Sequence, residues 1–273
     1  PCLRALAAGR PGGTIHVAAR PALVPCFEAH PAVDRVLACP GGRGLAALGD
    51  LWRHGKDLQS RVFEAGLLLP NSFASALWLW RAGVKRRVGF ARDGRRWFLT
   101  DPVPCPSEVR RLHMIDYYLA AAAPLSPKAD GGDPDPVVSD AGRQAAQALR
   151  SRIGVGERYA VLAPVSAYGP VKDWPPERYA ETAARLGADL DLPVLVTGGP
   201  GDREACGRIA DAAGPGTRSV AGETDLAGFL GLLADAALFV GNDSGGAHAA
   251  AGFGVPAVVL YGVTEPSRTG QRG

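Results

Sequence analysis

The sequence predicts an α/β protein made of two domains, each with a parallel β-sheet covered by helices on both faces. Its 273 residues are 47% hydrophobic, which is enough apolar material for two medium-sized cores. From Tyr159 onward, short apolar runs alternate with helical patterns, as they do in doubly wound sheets. The first half repeats this rhythm more faintly, ahead of a segment rich in proline, glycine and aspartate.

The second half gives the clearer pattern of elements. Its apolar runs predict strands at residues 159–164, 193–199, 217–222, 236–242 and 256–262. Helices are predicted at residues 175–190, 202–213 and 225–234, the last of them capped by Asp225, and in the alanine-rich stretch after Gly246. The helical spacing of the first of these, which has Pro176 near its first turn, places four side chains on one face: Tyr179, Ala183, Leu186 and Leu190.

The first half predicts four strands and four helices. The strands are expected at residues 14–18, 33–37, 66–69 and 87–90, and the helices around residues 22–29, 44–59, 72–82 and 108–122. Residues 124–140, rich in Pro, Gly and Asp, are interpreted as a linker, which gives domains at residues 1–123 and 141–273. Asp133 and Asp135 in this linker have the spacing of a metal-binding pair, but the prolines around them favour a solvated hinge.

Both ends of the sequence read as truncated. The chain opens in the helical pattern PCLRALAAG, whereas a doubly wound domain ordinarily begins with a central strand and a functional turn. At the other end, YGVTEPSRTGQRG follows the last strand without a helix to cover it. We therefore expect a fragment of a longer gene product.

Positive charge is concentrated in the first half. Residues 1–150 contain 20 Lys and Arg against 13 Asp and Glu, whereas residues 151–273 contain 10 against 14. Six basic residues fall in one strand-and-turn stretch: Lys85, Arg86, Arg87, Arg92, Arg95 and Arg96. Such a surface suits an anionic partner, and a solvated arginine-rich loop is an equally weighted alternative. No recognised motif accompanies the charge, so nucleic acid is not the expected partner.

The sequence carries no sign of a membrane span or a secretory leader. No apolar run approaches the roughly 18 residues that a spanning helix needs, and no charged-then-apolar leader precedes Pro1, so the cytoplasm is the expected location. The five cysteines are scattered and include no C-x-x-C pair. We interpret them as buried or idle thiols rather than as disulfides or zinc ligands.

Four loops of the second half are expected at one edge of its sheet. In an open parallel sheet, ligands bind beyond the carboxyl ends of the strands. The loops that follow the first four strands of this half occupy residues 164–174, 198–202, 221–225 and 241–248. Their polar residues are therefore the candidates for a ligand site.

The loop GNDSGGAH, residues 241–248, carries the strongest signal. Gly245 and Gly246 allow a ligand to approach the start of a helix, where free N–H groups and the helix dipole attract phosphate. Ser244 adds a hydroxyl donor, and His248 lies one turn further on. Asp243 would repel phosphate, so we expect it to accept from sugar hydroxyls or to cap the turn. Taken alone, this pattern is equally typical of α/β proteins that bind nothing there.

Two other loops add candidates. Lys172 is placed to neutralise a leaving diphosphate, although most loop lysines are simply exposed. Glu223 can accept from two ribose hydroxyls through one carboxylate, or it can cap a helix beside Thr224 and Asp225. The glycine-rich turn GGPGDRE, residues 198–204, is interpreted as structural.

Several segments match the motifs of one known enzyme family. NDSGGAHAAAGFGVPAVVLYGVTEP contains Asp-Ser-Gly-x-x-His with a following Pro and Tyr-Gly-x-x-x-Pro, VKDWPPERYAETAARL contains Lys-x-Trp-Pro, and AGETDL is similar to a stretch beside the nucleotide. These segments resemble the ADP-heptose:lipopolysaccharide heptosyltransferases of glycosyltransferase family nine. In the first half, LLLPNSFASALWLWRAGVKRRVGF and HPAVDRVLACP are close to the heptosyltransferase II pattern. The similarity runs from Pro1 to about Thr269, with a mild departure at Gly246, where bulkier residues often occur.

The resemblance implies a GT-B fold, in which two Rossmann-like domains face a cleft. It also implies an inverting, metal-independent transfer of heptose from ADP-heptose to the inner core of lipopolysaccharide, with no cofactor besides this donor substrate. The second domain would hold the ADP-sugar, with Ser166, Lys172 and the helix start at residues 244–246 on the diphosphate. Glu223 would lie near the ribose and Asp243 near the sugar.

On the acceptor side, the resemblance implies that the basic first domain faces the anionic lipopolysaccharide core, with peripheral contact at the inner membrane surface. Asn71, Ser72 and His113 are candidates there, although capping explains Asn71 and Ser72 nearly as well. The general base of the family is an aspartate in a Gly-Asp turn, expected upstream of Pro1. We therefore expect the 273-residue chain to transfer little.

Two other functions stay open on the sequence alone. One keeps the GT-B fold but changes the reaction to epimerisation or hydrolysis of a nucleotide sugar, which needs an acid or histidine pair in the cleft; His113 is a loose candidate. The other is non-catalytic binding of a nucleotide sugar by a fragment that lacks the general base. Calorimetry with ADP, followed by a transfer assay, separates the three.

Overall fold

The computed structural model describes residues 1–39, 44–127, 132–165 and 174–272. The chain divides into two compact units, Pro1–Gly132 and Asp133–Gly273, so that the division falls within the predicted linker. In the described ranges, every strand pairing is parallel. Parallel sheets flanked by helices confirm the predicted α/β class.

The first unit contains five strands and five α-helices in the described ranges. The strands are β1 (His16–Ala19), β2 (Arg35–Ala38), β3 (Ala65–Leu68), β4 (Arg86–Phe90) and β5 (Asp101–Val103). The helices are α1 (Cys2–Gly9), α2 (Gly44–Asp57), α3 (Phe73–Arg81), α4 (Ser107–Arg111) and α5 (Met114–Ala122). The strands form two sheets, β1–β2 and β3–β4–β5, and in the described residues no strand joins them.

Prolines and an extended backbone explain two differences from the predicted helices of this unit. The predicted helix at residues 22–29 is instead a short 3-10 helix at Pro21–Cys26, with Pro25 inside it, because proline cannot donate the backbone hydrogen bond that an α-helix requires. The predicted helix at residues 108–122 divides into α4 and α5. The backbone is extended at Leu112 (ψ 153°), and His113 begins a new helix there.

The second unit has five strands and six α-helices in the part of it that is described. The strands are β6 (Ala160–Ala163), β7 (Val194–Val196), β8 (Thr217–Ser219), β9 (Leu238–Asn242) and β10 (Ala257–Leu260). The helices are α6 (Asp140–Ile153), α7 (Pro176–Leu190), α8 (Arg203–Ala213), α9 (Leu226–Ala234), α10 (Gly245–Gly252) and α11 (Pro266–Thr269). The strands form one sheet in the order β10–β9–β6–β7–β8.

Helices cover both faces of this second sheet. Val161 and Leu195 belong to one buried cluster, with residues of α6, α9 and α10, whereas Ala160 and Leu162 belong to the other, with residues of α7 and α8. Alternation with a period of two sends successive side chains to opposite faces. Because both faces are buried, the strands are continuous apolar runs in the sequence.

Four further features of the helices and strands were not predicted correctly. Helix α11 follows β10, where no helix was predicted. Leu190 was expected on the buried face of α7, but it is the last residue of the helix and is 48% exposed. Helix α6 gave little signal because its buried positions include the small residues Gly142 and Ala146. Strand β5 is three residues long and contains Pro102, which argues against a strand in a sequence pattern.

The cysteines are free thiols in the structure. Cys206 is buried among the α7 and α8 residues beneath the sheet, and this burial raises the pKa of its thiol to about 11. A thiol with such a pKa stays protonated at neutral pH and reacts poorly. Among the described residues, no helix combines the length and the apolar character needed to cross a bilayer.

The close contact between α6 and α9 gives a test of the packing of the second unit. A Cβ atom added at Gly231 would lie 2.4 Å from the carbonyl oxygen of Gly142, so we expect Gly231→Ala to lower the free energy of unfolding by about 1–3 kcal/mol. The matched control is Gly207→Ala in α8, where an added Cβ meets nothing within 4 Å. We expect this control to gain about 0.5–1 kcal/mol. Urea unfolding measures both, and equal effects would contradict the packing.

Candidate functional site

The carboxyl ends of β6 and β9 lie side by side, with Ala163 opposite Gly241. The chain leaves β6 towards β7 on one side and leaves β9 towards β10 on the other. The connections therefore run in opposite directions from this point. Such a switch point opens a crevice at the carboxyl edge of a parallel sheet, where ligands of α/β proteins bind.

Asn242 joins the elements around this crevice. It is fully buried, its Nδ2 donates to the carbonyl oxygen of Pro164 at 2.8 Å, and its Oδ1 accepts from the hydroxyl of Tyr179 at 2.7 Å. The amide therefore connects the end of β9 with the end of β6 and with α7. Asn242 was not among the residues predicted from the sequence, although a polar residue that ends an apolar strand run was a usable signal.

Asp243 follows Asn242 and is also buried, with 7% of its surface exposed. Its backbone N–H donates to the carbonyl oxygen of Leu260 at 3.1 Å. Its Oδ1 lies 3.5 Å from Nε2 of Gln271 and 3.8 Å from Nε2 of His248. Two of the candidates, Asp243 and His248, are therefore brought together at the start of α10.

Tyr261 is the polar side chain next to Asp243 on the β10 side. Burial raises the pKa of its hydroxyl above the ordinary value for tyrosine, and the nearby Asp243 carboxylate raises it further, against the lowering effect of bonds to Gln271. The Tyr261 hydroxyl donates to Oε1 of Gln271. The chain after β10 thus closes back onto the crevice through these two side chains.

The start of α10 presents its first residues to solvent. Ser244 is the N-cap residue, in extended conformation (φ −151°, ψ 171°), and its side chain makes no capping bond. Gly245 is exposed, and a Cβ atom added there would meet nothing within 4 Å. The first N–H groups of a helix have no partner inside the helix, so this end has the features of an anion site.

Gly246 has a packing role in addition to the predicted one. A Cβ atom added there would lie 3.1 Å from Cζ of Phe229. The glycine therefore allows α10 to pack against α9, and close approach of a ligand is not needed to explain it. The packing role could not be predicted from the sequence because Phe229 lies on another helix.

Glu223 follows β8 at the outer edge of the sheet. Its carboxylate pairs with the guanidinium of Arg152 in α6, and it lines a groove along β8 with Arg218 and Asp211. Adjacent strands lie about 4.8 Å apart, so two strand spacings, roughly 10 Å, separate the ends of β8 and β6. The cap of α9 is Asp225, which accepts from the N–H of Gly228 at 2.9 Å.

Ser166 and Lys172 lie outside the described residues, but both flanks of their segment are described. Pro164, before the segment, accepts from Asn242. Trp174, after it, meets the ring of Tyr179 edge-on with the centroids 5.3 Å apart. Because Tyr179 also bonds Asn242, both flanks are held by the same pair of side chains.

In the first unit, the three candidates on the acceptor side make local contacts. Ser72 caps α3 by accepting from the N–H of Ser75 at 3.2 Å. His113 caps α5, and its Nδ1 accepts from the N–H of Ile115 at 3.3 Å. Asn71 is not a cap: its Nδ2 donates to the hydroxyl of Tyr117 at 2.8 Å.

Arg95 holds the turn that carries Asn71. It is fully buried, and its guanidinium donates to the carbonyl oxygens of Phe90 and Pro70 and, at 3.0 Å, to Oδ1 of Asn71. Burial lowers the pKa of this guanidinium from its ordinary value. The expectation of a surface arginine was therefore wrong for Arg95.

Other members of the predicted basic stretch also use their charge inside the unit. Arg86 pairs with Asp101 at 2.9 Å, and Arg92 pairs with Asp93 at 3.1 Å. Arg87 donates to main-chain carbonyl oxygens, including that of Phe98 at 2.6 Å. Only Lys85 and Arg96 of the six are exposed. In the described residues, no group of three or more His, Cys, Asp or Glu side chains forms a metal site.

Fold and site together define an α/β enzyme with a helix start at a switch point, and comparison with known proteins gives the family. The family model for glycosyltransferase family 9 (heptosyltransferase) matches residues 51–272. The chain belongs to this family and is a glycosyltransferase. Lipopolysaccharide heptosyltransferase 2 of Escherichia coli K12 is 31% identical over 277 residues, covering 97% of this chain and 79% of that protein.

Two solved structures are similar to this chain along nearly its whole length. E. coli ADP-heptose lipopolysaccharide heptosyltransferase II superposes with a TM-score of 0.84 at 29% identity, covering 98% of this chain and 82% of that one. The glycosyltransferase family 9 protein of Veillonella parvula DSM 2008 gives 0.87 at 22% identity, covering 98% and 78%. At that lower identity the likeness shows the fold alone. The GT-B prediction is thereby confirmed.

The Asn242 contacts predict a graded loss of stability. Asn242→Ala leaves the Pro164 carbonyl oxygen and the Tyr179 hydroxyl without this partner, so we expect the free energy of unfolding to fall by about 2–3 kcal/mol. Tyr179→Phe removes one of the two bonds and is expected to cost about 1 kcal/mol. Urea unfolding of the two variants measures the difference. If Tyr179→Phe lowered the free energy of unfolding more than Asn242→Ala does, the Asn242 amide would not be the group that joins these elements.

The buried position of Arg95 predicts that its substitution lowers the free energy of unfolding more than substitution of its neighbour Arg96 does. A lysine at position 95 cannot reach three acceptors at once, so Arg95→Lys is expected to lower the free energy of unfolding by about 1.5–3 kcal/mol. Arg96→Lys, at the exposed next position, is the matched control and should change it by less than about 0.5 kcal/mol. Thermal unfolding of both variants provides the measurement, and equal Tm values would show that the Arg95 bonds are not formed.

Proposed function

We propose that this glycosyltransferase moves heptose from ADP-heptose to the inner core of lipopolysaccharide. The observation that carries the proposal is the exposed start of α10 at the β6–β9 switch point, in a chain of the heptosyltransferase family. A helix start of this kind attracts a diphosphate. The choice of heptose as the sugar and of lipopolysaccharide as the acceptor rests on relatives that are named lipopolysaccharide heptosyltransferases.

The donor would lie across the carboxyl edge of the second unit. The N–H groups at Gly245 and Gly246 and the hydroxyl of Ser244 would donate to the diphosphate, and Asp243 would accept from sugar hydroxyls. Ser166 and Lys172 would complete the diphosphate site, and this is supported by the two flanks of their segment, both of which contact the Asn242–Tyr179 pair. Glu223 would reach the ribose only by leaving Arg152, with which it pairs.

We further propose that the reaction is inverting and needs no metal ion. In a single displacement, the acceptor hydroxyl attacks the anomeric carbon from the side opposite to the diphosphate, and ADP leaves as an anion. The bond between the anomeric carbon and the phosphate oxygen breaks, and its electron pair stays on that oxygen. The proton of the acceptor hydroxyl passes to a general base. Fixed donors at the start of α10, with Lys172, would stabilise the negative charge that develops on the leaving group.

The acceptor would be anionic and would contact the first unit. Residues 1–150 carry an excess of positive charge, which favours association with carboxylates and phosphates. Asn71 stands at the carboxyl end of β3, where Arg95 and Tyr117 fix its amide. We also propose that the chain contacts the membrane surface peripherally, because lipopolysaccharide is a membrane lipid.

Two measurements test the proposed function directly. Calorimetry with ADP, and with UDP as the control, is expected to give binding of ADP alone. The transfer assay uses a chain that carries the upstream Gly-Asp turn, with ADP-heptose and a soluble acceptor that bears Kdo, an acidic sugar of the inner core. Mass spectrometry is expected to show the addition of one heptose, with the opposite anomeric configuration by NMR and no loss of rate in EDTA. Hydrolysis or epimerisation of the donor without transfer would support the alternative reactions instead.

Substitution of Gly245 is expected to weaken the binding of ADP without lowering the stability of the fold. The side chain of Gly245→Val would stand over the start of α10, where an added Cβ meets no protein atom within 4 Å. We expect the affinity for ADP to fall about tenfold or more, since charge-assisted bonds to the diphosphate are lost. Gly207→Val, at an equally open glycine of α8, is the control. Calorimetry gives Kd, and an unchanged Kd for Gly245→Val would remove the α10 start from the site.

A further inference from the structure

Exposed aromatic side chains are concentrated in the first unit. Trp52 is 44% exposed, Phe73 46%, Trp80 46% and Trp97 90%. Tryptophan and phenylalanine normally bury most of their large apolar surface. Four such side chains in one unit therefore call for an explanation beyond chance exposure.

Ring contacts connect three of these side chains, Trp52, Phe73 and Trp80, through the half-buried Phe98. Trp52 of α2 lies 6.3 Å from Trp80 of α3, centroid to centroid. Phe98 lies 5.9 Å from Trp80 and 5.2 Å from Phe73, and Trp97 is its neighbour in the chain. We call Trp52, Phe73, Trp80, Trp97 and Phe98 the aromatic patch.

Positive charge accompanies the aromatic patch. The guanidinium of Arg81 lies 4.7 Å from the ring centroid of Trp52, and exposed Arg96 precedes Trp97. Residues 50–100, which contain the whole patch, hold ten Lys and Arg against four Asp and Glu. Four of the ten, Arg86, Arg87, Arg92 and Arg95, bond within the unit, whereas Lys85 and Arg96 are exposed. An apolar surface with basic side chains around it is complementary to a bilayer surface that carries anionic headgroups.

We propose that the aromatic patch docks this enzyme on an anionic lipid surface. Tryptophan favours the headgroup level of a bilayer because its ring is apolar and its N–H is polar. Arginines beside the rings would contact lipid phosphates. The inference rests on the proposed function in one respect: an acceptor that is itself a membrane lipid must be reached at the membrane surface.

The position of Phe73 relates this patch to the acceptor side. Phe73 is the first residue of α3, directly after the cap Ser72 and two residues after Asn71. Asn71 and Ser72 follow the carboxyl end of β3. One end of the aromatic patch therefore adjoins the edge where we place the acceptor.

Co-sedimentation with vesicles tests the apolar part of the proposal. The 273-residue chain is expected to bind vesicles of phosphatidylethanolamine with phosphatidylglycerol. Trp97→Ser should weaken the partition coefficient about fivefold or more, and Trp80→Ser should do so as well, because each loses an aromatic surface that would enter the headgroup layer. Trp97 is almost fully exposed, so its replacement leaves the fold intact.

Val62→Ser is the matched control for Trp97→Ser. Val62 is 91% exposed in the same unit, but it lies before β3, whereas Trp97 follows β4. Val62 is therefore an exposed apolar side chain of the same unit that does not belong to the aromatic patch. Partition of Val62→Ser should equal that of the unchanged chain, and a loss as large as that of Trp97→Ser would overturn the proposal.

Charge substitutions test whether binding depends on anionic lipid headgroups or on apolar contact alone. Arg96→Glu should weaken binding to the anionic vesicles about tenfold, since it removes one positive charge and adds a negative one near the surface. Arg185→Glu in α7, which makes the same change of net charge in the second unit, should have little effect. Equal binding of the unchanged chain to phosphatidylcholine vesicles would overturn the anionic assignment.

The outcome is independent of whether heptose is transferred. Transfer to a soluble, delipidated Kdo acceptor, measured in a chain that carries the upstream Gly-Asp turn, should be unchanged in Trp97→Ser. Failure of that transfer without the substitution would refute the proposed function while vesicle binding stood. If Trp97→Ser keeps full vesicle binding but changes the sedimentation coefficient of the protein in solution, the patch is an interface between protein copies and the membrane proposal fails.

Discussion

The buried amide of Asn242 is the interaction on which the carboxyl edge of the second unit depends. A single side chain, fully enclosed, satisfies a carbonyl oxygen from the end of β6 and a hydroxyl from α7. Unpaired polar groups at this depth are costly, so these two hydrogen bonds favour the observed arrangement of the three elements. Because Asp243 and Ser244 come next in the chain, the bonds of Asn242 also fix where these two residues lie.

The first unit uses the same principle with a charged group. Arg95 is enclosed and directs its donors at two carbonyl oxygens and at the amide of Asn71. In both units, therefore, an interior polar side chain fixes the residue that follows a strand. Loops built this way keep a defined shape although they contribute little apolar surface.

The sequence was sufficient for the elements whose signal is local. Strands buried on both faces appear as continuous apolar runs, and Asp225 was recognised as a helix cap because its partner is three residues away. Partners that are distant in the sequence could not be predicted from local patterns. Examples are Phe229 for Gly246, Arg152 for Glu223 and the Pro70 carbonyl oxygen for Arg95. Counting arginines in a stretch measures its charge, but whether that charge faces water depends on contacts that only folding creates.

The adjacency of Ser72 and Phe73 has a kinetic consequence for an enzyme that sits on a bilayer. Its encounters with acceptor molecules would occur by lateral diffusion in two dimensions, so turnover would follow the mole fraction of acceptor in the leaflet and not its bulk concentration. Inert lipid added to the leaflet would then slow the reaction by dilution alone.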